Sequence, residues 1–302
     1  METVSRTWKI ELHAIPSTTL TDQEFLTGRQ DGAPVMLTAA LRLPPGMAKV
    51  PAMVLMHGSG GVSGQVDEWA RFLTDLGVAT FMVDSFTPRG LDTSFANQGV
   101  LGRLAMIVDA YRAFDVLAEH ARIDRQRIAL MGFSRGGQAA LYAAVQRFRD
   151  MHGPKQGDFA GYVPFYPACH IRFRDDERLV DRPVHVLHGD ADDMNPISAC
   201  RTYVSRVRQA GGRIHLHEFA QARHIFDWPL LDKPVVLQGV RSNAGALLAE
   251  GEEGKIYLAG TQVPVAEAIG KFTLHPTLGH NAAALAASQR IVTNFVTQVL
   301  GE

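Results

Sequence analysis

The residues best suited to chemistry in this chain are Gly-Phe-Ser-Arg-Gly, at positions 132 to 136. An apolar run at 127–131 precedes them and an alanine-rich stretch at 138–148 follows, which predicts a buried strand, a sharp turn and a helix. A serine in such a turn points its hydroxyl outward from a strained backbone, and the flanking glycines let strand and helix approach closely. Ser134 is therefore the predicted nucleophile. The alternative is an ordinary strand-to-helix turn with a capping serine.

A serine hydroxyl becomes a good nucleophile only when an imidazole removes its proton and an acid holds that imidazole. After a strand-turn-helix unit that carries a nucleophilic serine, called a nucleophile elbow, the acid comes next along the chain and the histidine follows it. Three acids compete in the loop after the apolar run 183–187, namely Asp190, Asp192 and Asp193. We predict Asp192, because the third residue after the turn glycine returns over the strand end. Its two neighbours are predicted to cap the turn or the next helix.

The predicted base is His224, in the loop that follows the strand predicted at 213–219. Other histidines have structural interpretations. His57 is expected to brace its own turn, and His215 and His217 alternate along a strand and are expected to share its polar face. His170, beside Cys169, is a candidate for lining a pocket. No histidine or cysteine spacing indicates a metal site, so we predict neither a metal nor a cofactor.

Backbone N–H groups near Ser134 could stabilise a developing oxyanion. The glycine-rich turn at 57–61 follows a buried strand and lacks the Lys-Ser/Thr of a phosphate-binding loop, and the N–H of Arg135 opens the helix after the serine. The guanidinium groups of Arg89 and Arg135 could pair with a structural acid or meet a substrate carboxylate. Arg89 and Phe133 are therefore candidates for substrate contact.

Strands and helices alternate along most of the chain, which predicts an α/β fold with a mostly parallel, doubly wound sheet and helices on both faces. In such sheets, ligand sites lie at the carboxyl ends of the strands. We expect one domain over 1–302. The predicted strands are 8–12, 35–43, 51–56, 78–83, 127–131, 161–166, 183–187 and 213–219, and the helices are 65–76, 104–117, 138–148, 198–210 and one that starts at Asn281.

Residues 228–279 interrupt this alternation. They contain short apolar runs and a Glu-Gly-rich turn, with no strong helical period, so we predict a hairpin-rich excursion. One interpretation is a flap beside the pocket, because the chain leaves the predicted catalytic edge at His224 and returns at Asn281. The alternative is a surface hairpin or a dimer contact.

Composition excludes several classes of partner. The chain has 302 residues, 46% hydrophobic and 20% charged, with a net charge of −1, so nothing favours nucleic acid or an anionic membrane. No apolar run approaches the roughly 20 residues of a membrane span, and the start has no signal-peptide pattern. Cys169 and Cys200 are too few for a disulfide framework. We expect a cytoplasmic protein; its oligomeric state stays open, with a homodimer among the alternatives.

The sequence resembles the α/β-hydrolase fold and, within it, the dienelactone hydrolase-like family. The similarity covers about 35–226 and the final helix, and its motifs are HGSGG at 57–61, FTPRG at 86–90, GFSRGG at 132–137, HGDADD at 188–193 and HIF at 224–226. By this resemblance Ser134 is the nucleophile, Asp192 the acid and His224 the base. The oxyanion hole would be formed by the N–H of Arg135 and one from Ser59 or Gly60.

The family's namesake uses cysteine where this chain has Ser134, which favours a general carboxylic ester over a dienelactone. We therefore expect a cofactor-free serine esterase that acts on a small or medium carboxylic ester or lactone. Acyl transfer or perhydrolysis on the same triad is the alternative among enzymes. A non-catalytic, ligand-binding member of the fold is the alternative outside them.

Overall fold

The computed structural model describes residues 8–245 and 247–301, and its centre is an eight-stranded sheet. The strand order is β1-β2-β4-β3-β5-β6-β8-β9, with six parallel strands from β4 to β9 and an antiparallel hairpin, β1–β2, at one edge. The sheet strands are β1 (Lys9–Thr19), β2 (Ala33–Leu43), β3 (Val50–Met56), β4 (Ala79–Asp84), β5 (Ile123–Phe133), β6 (Tyr162–Phe165), β8 (Val184–Gly189) and β9 (Ile214–Phe219); the two-residue strand β7 (Ile171–Arg172) lies outside it.

Helices cover both faces of this sheet, which confirms the predicted fold class. Alternate residues of β3 show the two layers, because Val54 and Met56 belong to one buried apolar cluster and Met53 and Leu55 to the other. The first cluster includes α3 and α6, and the second includes α2 and α7. The helices are α1 (Asp22–Leu26), α2 (Gly64–Asp75), α3 (Ala105–Ala118), α4 (Arg135–Tyr142), α5 (Gln146–His152), α6 (Ile197–Gln209) and α7 (Ala282–Phe295).

The helix predicted at 138–148 is instead two helices, α4 and α5, with a break at Val145. Val145 has an extended backbone and forms an isolated antiparallel bridge with Leu179. The N–H of Gln146 donates to the carbonyl of Arg178, so the backbone bonds that would continue α4 go to a neighbouring segment. Alanine-rich helical propensity is a weak preference, and this tertiary pairing overrides it.

The excursion at 228–279 forms two small sheets beside the main one. Strand β10 (Val235–Val236) pairs with β13 (Thr277–Leu278), and β11 (Leu248–Glu250) pairs with β12 (Ile256–Leu258) and, in parallel, with β7.

Glu250 anchors this excursion to the body of the protein. Its side chain is fully buried, and its two oxygens accept from the Arg147 guanidinium at 2.7 and 2.8 Å and from the N–H and guanidinium of Arg174 at 2.8 and 3.0 Å. A buried carboxylate with two arginines is a strong, geometrically specific contact. The excursion is thus tied to the core at its middle as well as at its ends.

Cys169 and Cys200 form a disulfide, which links the segment after β6 to α6 across 31 residues. From the sequence we expected no disulfide framework and a reducing compartment, whereas a structural disulfide is typical of an oxidising compartment. Cytoplasmic localisation therefore stays a prediction, and the disulfide argues against it. Within the described ranges no helix is both long and apolar enough to cross a lipid bilayer.

Candidate active site

Ser134 lies in a strained turn between β5 and α4, with φ 54° and ψ −110°. A Cβ atom at Gly132 would collide with the carbonyl oxygen of Gly136, and one at Gly136 would collide with that of Met56, so only glycine fits either position. The Ser134 carbonyl accepts the first bond of the helix from the N–H of Gln138 at 2.7 Å. The backbone thus turns the serine hydroxyl away from the sheet and toward the carboxyl ends of the neighbouring strands.

The structure brings the three predicted triad residues into one hydrogen-bonded chain. His224 Nε2 lies 2.8 Å from Ser134 Oγ, and His224 Nδ1 lies 2.7 Å from Asp192 Oδ2. His224 is buried in the loop after β9, where its carbonyl accepts from the N–H of Gly279 at 3.1 Å. In this arrangement Nδ1 donates to the carboxylate, which leaves Nε2 with a lone pair facing the serine hydroxyl.

Asp192 is held as a carboxylate by its loop. Its Oδ1 accepts from the N–H groups of Met194 and Asn195 at 2.9 and 2.8 Å. Burial alone would raise the pKa of Asp192, but the neighbouring imidazoles of His224 and His188 outweigh burial and hold that pKa well below its usual value. His188 supports the same loop, because its Nε2 donates to the carbonyl of Asn195 at 2.7 Å.

The other two acids of this loop have different partners. Asp190 accepts from the N–H of Gln221 at 2.6 Å, and Asp193 accepts from the N–H of Thr277 at 2.8 Å. Asp190 therefore caps the turn after β9, and Asp193 ties its loop to the start of β13.

The predicted oxyanion donors lie at the same sheet edge. Ser59 and Arg135 line a narrow cleft together with Ser134, whereas Gly60 is not among the lining residues. His57, below this turn, donates from Nδ1 to the carbonyl of Gly58 at 2.7 Å and accepts at Nε2 from the N–H of Ser85 at 3.1 Å. His57 thus braces its turn, as predicted from the sequence.

Arg89 is committed to a buried ion pair with Asp109, with two nitrogen–oxygen contacts of 2.8 and 2.9 Å, and also donates to Thr19 and Ser85. Of the two roles considered for Arg89 from the sequence, this is the ion pair with a structural acid. The Arg89 side chain is only 6% exposed. Phe133, the other candidate for substrate contact, is buried under the elbow against Trp69 and Phe165. Neither residue lines the cleft at Ser134 or the larger cavity beside it.

The Arg135 guanidinium forms no ion pair with a described acid, because its hydrogen bonds go to neighbouring neutral groups. It donates to the carbonyls of Gln98 and Leu101 and to the side-chain oxygen of Gln98. Burial, with the nearby charge of Arg103, lowers the pKa of Arg135 to about 9. The arginine therefore ties the loop before α3 to the start of α4, next to the nucleophile.

A cavity of about 380 Å³ lies beside the cleft at Ser134. One wall is the loop from Phe95 to Arg103, and the other is built by the excursion. Both the cleft and the cavity are lined by Gln98, Arg103, Arg241 and Asn243. The apolar lining from the excursion consists of Leu248, Ile256, Val265, Ala266 and Phe272.

A family model described as the dienelactone hydrolase family matches residues 37–235, which is about two thirds of the chain and contains all three triad residues. The chain belongs to the dienelactone hydrolase family. Membership makes it a carboxylic ester hydrolase, in agreement with the resemblance found from its motifs. No functionally curated protein matches the sequence.

Solved structures share the fold of this family member at low sequence identity. A dienelactone hydrolase-like promiscuous phosphotriesterase from metagenomic libraries has a TM-score of 0.60 at 17% identity, covering 97% of this chain and 99% of its own. A thermophilic esterase from Thermogutta terrifontis has a TM-score of 0.51 at 20% identity, covering 64% and 79%. The same esterase phosphoramylated by tabun has a TM-score of 0.51 at 20% identity, covering 70% and 85%.

Three basic side chains of this family member line the cavity: His170, the candidate pocket residue of the sequence, and Arg103 and Arg241, which no sequence pattern indicated. No described residue forms a hydrogen bond or ion pair with the guanidinium of Arg103 or Arg241, and both ring nitrogens of buried His170 also lack partners among them. Burial lowers the pKa of His170 well below its usual value, with a contribution from Arg103. Asp22 lines the same cavity and accepts from the N–H of Leu104 at 2.9 Å. No sequence pattern relates these positions, since they come from three separate loops.

One group of potential metal ligands lies far from Ser134. Glu11 accepts contacts from His13 Nε2 at 3.2 Å and His120 Nε2 at 3.1 Å, on the first strand and the loop after α3. His120 Nδ1 accepts the N–H of Arg122 at 3.2 Å, so the neutral ring carries its proton on Nε2, where a metal would bind. Lys9 also contacts Glu11 at 2.7 Å. These contacts describe an ion-paired surface cluster rather than a metal centre.

Proposed function

We propose that this family member is a serine hydrolase that cleaves a small or medium carboxylic ester or lactone through an acyl-enzyme intermediate. The observation that supports this most directly is the hydrogen-bond chain from Asp192 through His224 to Ser134, with distances of 2.7 and 2.8 Å. Its order and geometry are those by which an imidazole activates a serine hydroxyl.

In the first half-reaction, Ser134 Oγ attacks the ester carbonyl carbon while its proton passes to His224 Nε2. The N–H groups of Arg135 and Ser59 stabilise the oxyanion, and the positive end of α4 adds to them. The Asp192 carboxylate stabilises the imidazolium. When the carbon–oxygen bond to the alcohol breaks, the alkoxide leaves with the proton from His224, and the acyl group stays on the serine.

In the second half-reaction, a water molecule takes the place of the alcohol. His224 removes one of its protons, the hydroxide oxygen bonds to the acyl carbon, and the Ser134 oxygen leaves with the proton that His224 returns. Acid is released and the free serine is restored. A lactone follows the same two steps, except that the alcohol and the acid remain on one product molecule.

The cavity next to Ser134 supports the predicted size class of the substrate. Its volume of about 380 Å³ lies toward the lower end of the range of about 300–1,000 Å³ for small-molecule sites. The excursion supplies an apolar wall, while Arg103, Arg241 and His170 supply donors. This lining suits an ester with an apolar body and a polar or anionic substituent. A matched pair such as a butyrate ester and a succinate monoester, with the same alcohol, measures that preference directly.

Labelling with a fluorophosphonate probe tests the proposal. Two proteins with the same fold, a promiscuous phosphotriesterase and an esterase phosphoramylated by tabun, motivate the choice of a phosphorus electrophile. We expect one probe adduct per chain, located at Ser134 by peptide mass spectrometry.

Ser134→Ala should remove both the adduct and ester hydrolysis, by several orders of magnitude in kcat, while the melting temperature stays near that of the wild type. Adding His224→Ala should cost little more, because the triad acts as a unit. Near-native turnover in Ser134→Ala, or an adduct on another residue, would contradict the proposed function.

A further inference from the structure

A second buried carboxyl group, Asp227, lies three residues after the histidine of the triad. It is 2% exposed. Its Oδ1 accepts from the Tyr166 hydroxyl at 2.8 Å, and its Oδ2 accepts from the Gln65 amide and the Trp69 indole at 2.7 Å each. Among the described residues no lysine, arginine or histidine forms an ion pair with it. The mechanism above gives this group no part.

A carboxyl group in this position is costly. Burial raises the pKa of Asp227 above its usual value, although hydrogen bonds from Gln65, Trp69 and Tyr166 act in the opposite direction. A buried polar group costs free energy unless its bonds are made, and apolar packing of the same volume is often at least as stabilising. The three directional donors instead fix one geometry, because each of them must meet an oxygen of the same rigid group.

The Tyr166 side chain connects this group to the catalytic histidine. Its ring lies edge-on to the His224 ring, with centroids 4.6 Å apart and an interplanar angle of 62°. The Tyr166 backbone has φ 34°, a left-handed conformation that a tyrosine adopts only where its surroundings impose it. Its carbonyl accepts from the Asn195 side chain at 2.8 Å, and the N–H of Asn195 donates to Asp192. Tyr166 therefore touches the triad base through its ring and the acid loop through its backbone.

We propose that Asp227 and Tyr166 are positioning residues for the triad: Asp227 fixes the Tyr166 ring, and that ring holds the plane of His224 between Asp192 and Ser134. This inference rests on the proposed function and adds a support on the side of the imidazole that neither triad partner covers. Gln65 and Trp69 tie the network to α2, which packs in the same buried cluster as Tyr166. Displacing a catalytic group by about 1 Å can cost about 100-fold in rate.

Two variants test this role. Asp227→Asn keeps the size of the side chain and removes one of its acceptors, and Tyr166→Phe keeps the ring while removing its bond to Asp227. We expect kcat to fall about 10- to 100-fold in the first and about 10-fold in the second, with KM within about 3-fold of the wild type. Asp181→Asn is the matched control, because that carboxyl is exposed and lies away from the site.

A spectroscopic measurement separates positioning from simple stability. The proton that His224 Nδ1 shares with Asp192 gives a low-field NMR resonance without any turnover. We expect it in the wild type and in Asp181→Asn, and expect it shifted or broadened in Asp227→Asn and Tyr166→Phe. Wild-type kcat and an unchanged resonance in both variants, even with lower melting temperatures, would overturn the inference. If the wild-type resonance is present but Ser134 takes no probe, the proposed function fails instead.

Discussion

At the residue scale, the position of the acid is decided by which carboxyl faces the imidazole. Asp192 points into the protein toward His224, whereas Asp190 and Asp193 bind backbone N–H groups on the outside of the same loop. The four-residue stretch 190–193 thus contains three acids, of which one contacts the imidazole and two bind backbone N–H groups.

We predict that Asp192→Asn lowers kcat by about 10⁴-fold, as in the equivalent change in a serine protease. An amide can hold the imidazole in the wrong tautomer and cannot stabilise its positive charge. Asp190→Asn and Asp193→Asn are the matched controls and should cost only about 0.5–2 kcal/mol of stability through their capping bonds. Steady-state kinetics and thermal melts of the three variants check this. A normal kcat in Asp192→Asn with an inactive neighbour would reassign the acid.

Local patterns were enough to predict which three side chains meet, and not enough to predict most of the lining of the cavity. Ser134, Asp192 and His224 each follow a recognisable strand, so their position at one sheet edge follows from topology. Arg103 and Arg241 follow no such rule, since only folding places their loops against each other. Phe133 illustrates the opposite error: next to the nucleophile in sequence, it points into the core because successive side chains of a strand face opposite ways.

At the element scale, the apolar wall of the cavity comes from the excursion, whereas Ser134, Asp192 and His224 come from loops of the main sheet. The turn at 252–254 packs against α1, where the Gln23 side chain donates to the carbonyl of Glu253 at 3.1 Å. The residues that face the cavity lie elsewhere in the segment, on β11, on β12 and in the stretch before β13. Its hairpin character was predicted from composition, but which of its side chains face the cavity depends on pairing with β7, a two-residue strand too short to be recognised in a sequence.

Phe272 provides a direct measure of this wall, because its ring lies edge-on to His170 with centroids 6.3 Å apart. We predict that Phe272→Ala enlarges the cavity and raises kcat/KM for esters with longer chains about 10-fold relative to acetate esters. The ratio of kcat/KM over a series of graded chain length checks this. Gln262→Ala, at an exposed turn of the same excursion, is the control and should leave the ratio unchanged. Equal ratios in both variants would place the chain of the substrate outside this cavity.

At the scale of the whole molecule, we expect half-buried histidines to make the folded state sensitive to acid. His185 and His217 stack on neighbouring strands of the main sheet, with Nδ1 of the first 3.1 Å from Nε2 of the second. Burial, together with His217 and His215, lowers the pKa of His185 to about 4. The unfolded chain binds this proton at about pH 6.5. Stability from His185 is therefore lost as pH falls from about 6.5 toward about 4.

We predict that the melting temperature of the wild type falls more steeply between pH 7 and pH 5 than that of His185→Phe. The variant lacks the group whose protonation the folded state resists, and phenylalanine keeps the apolar contact with Phe295. Differential scanning fluorimetry at a series of pH values checks the difference in slope. Parallel curves would show that His185 is protonated equally in both states.

The disulfide also acts on the whole chain, because the loop that it closes contains β8 and the acid of the triad. We predict no free thiol in unreduced, denatured protein, measured by thiol titration. Reduction, or Cys200→Ser, should lower the free energy of unfolding by about 3–4 kcal/mol for a loop of this length. Two free thiols in freshly purified protein would instead support the cytoplasmic, reducing compartment expected from the sequence.

The ends of the excursion meet at the catalytic histidine. The carbonyl of His224 accepts from the N–H of Gly279 at 3.1 Å, and the carbonyl of Phe226 accepts from the N–H of Asn281 at 2.9 Å. About fifty residues thus leave and re-enter the domain at one point, so another segment of different length could be joined there without rethreading the sheet, and the entropy of closing a loop grows only slowly with its length. The excursion can therefore be exchanged as a unit, which would change the wall of the cavity while Ser134, Asp192 and His224 keep their positions.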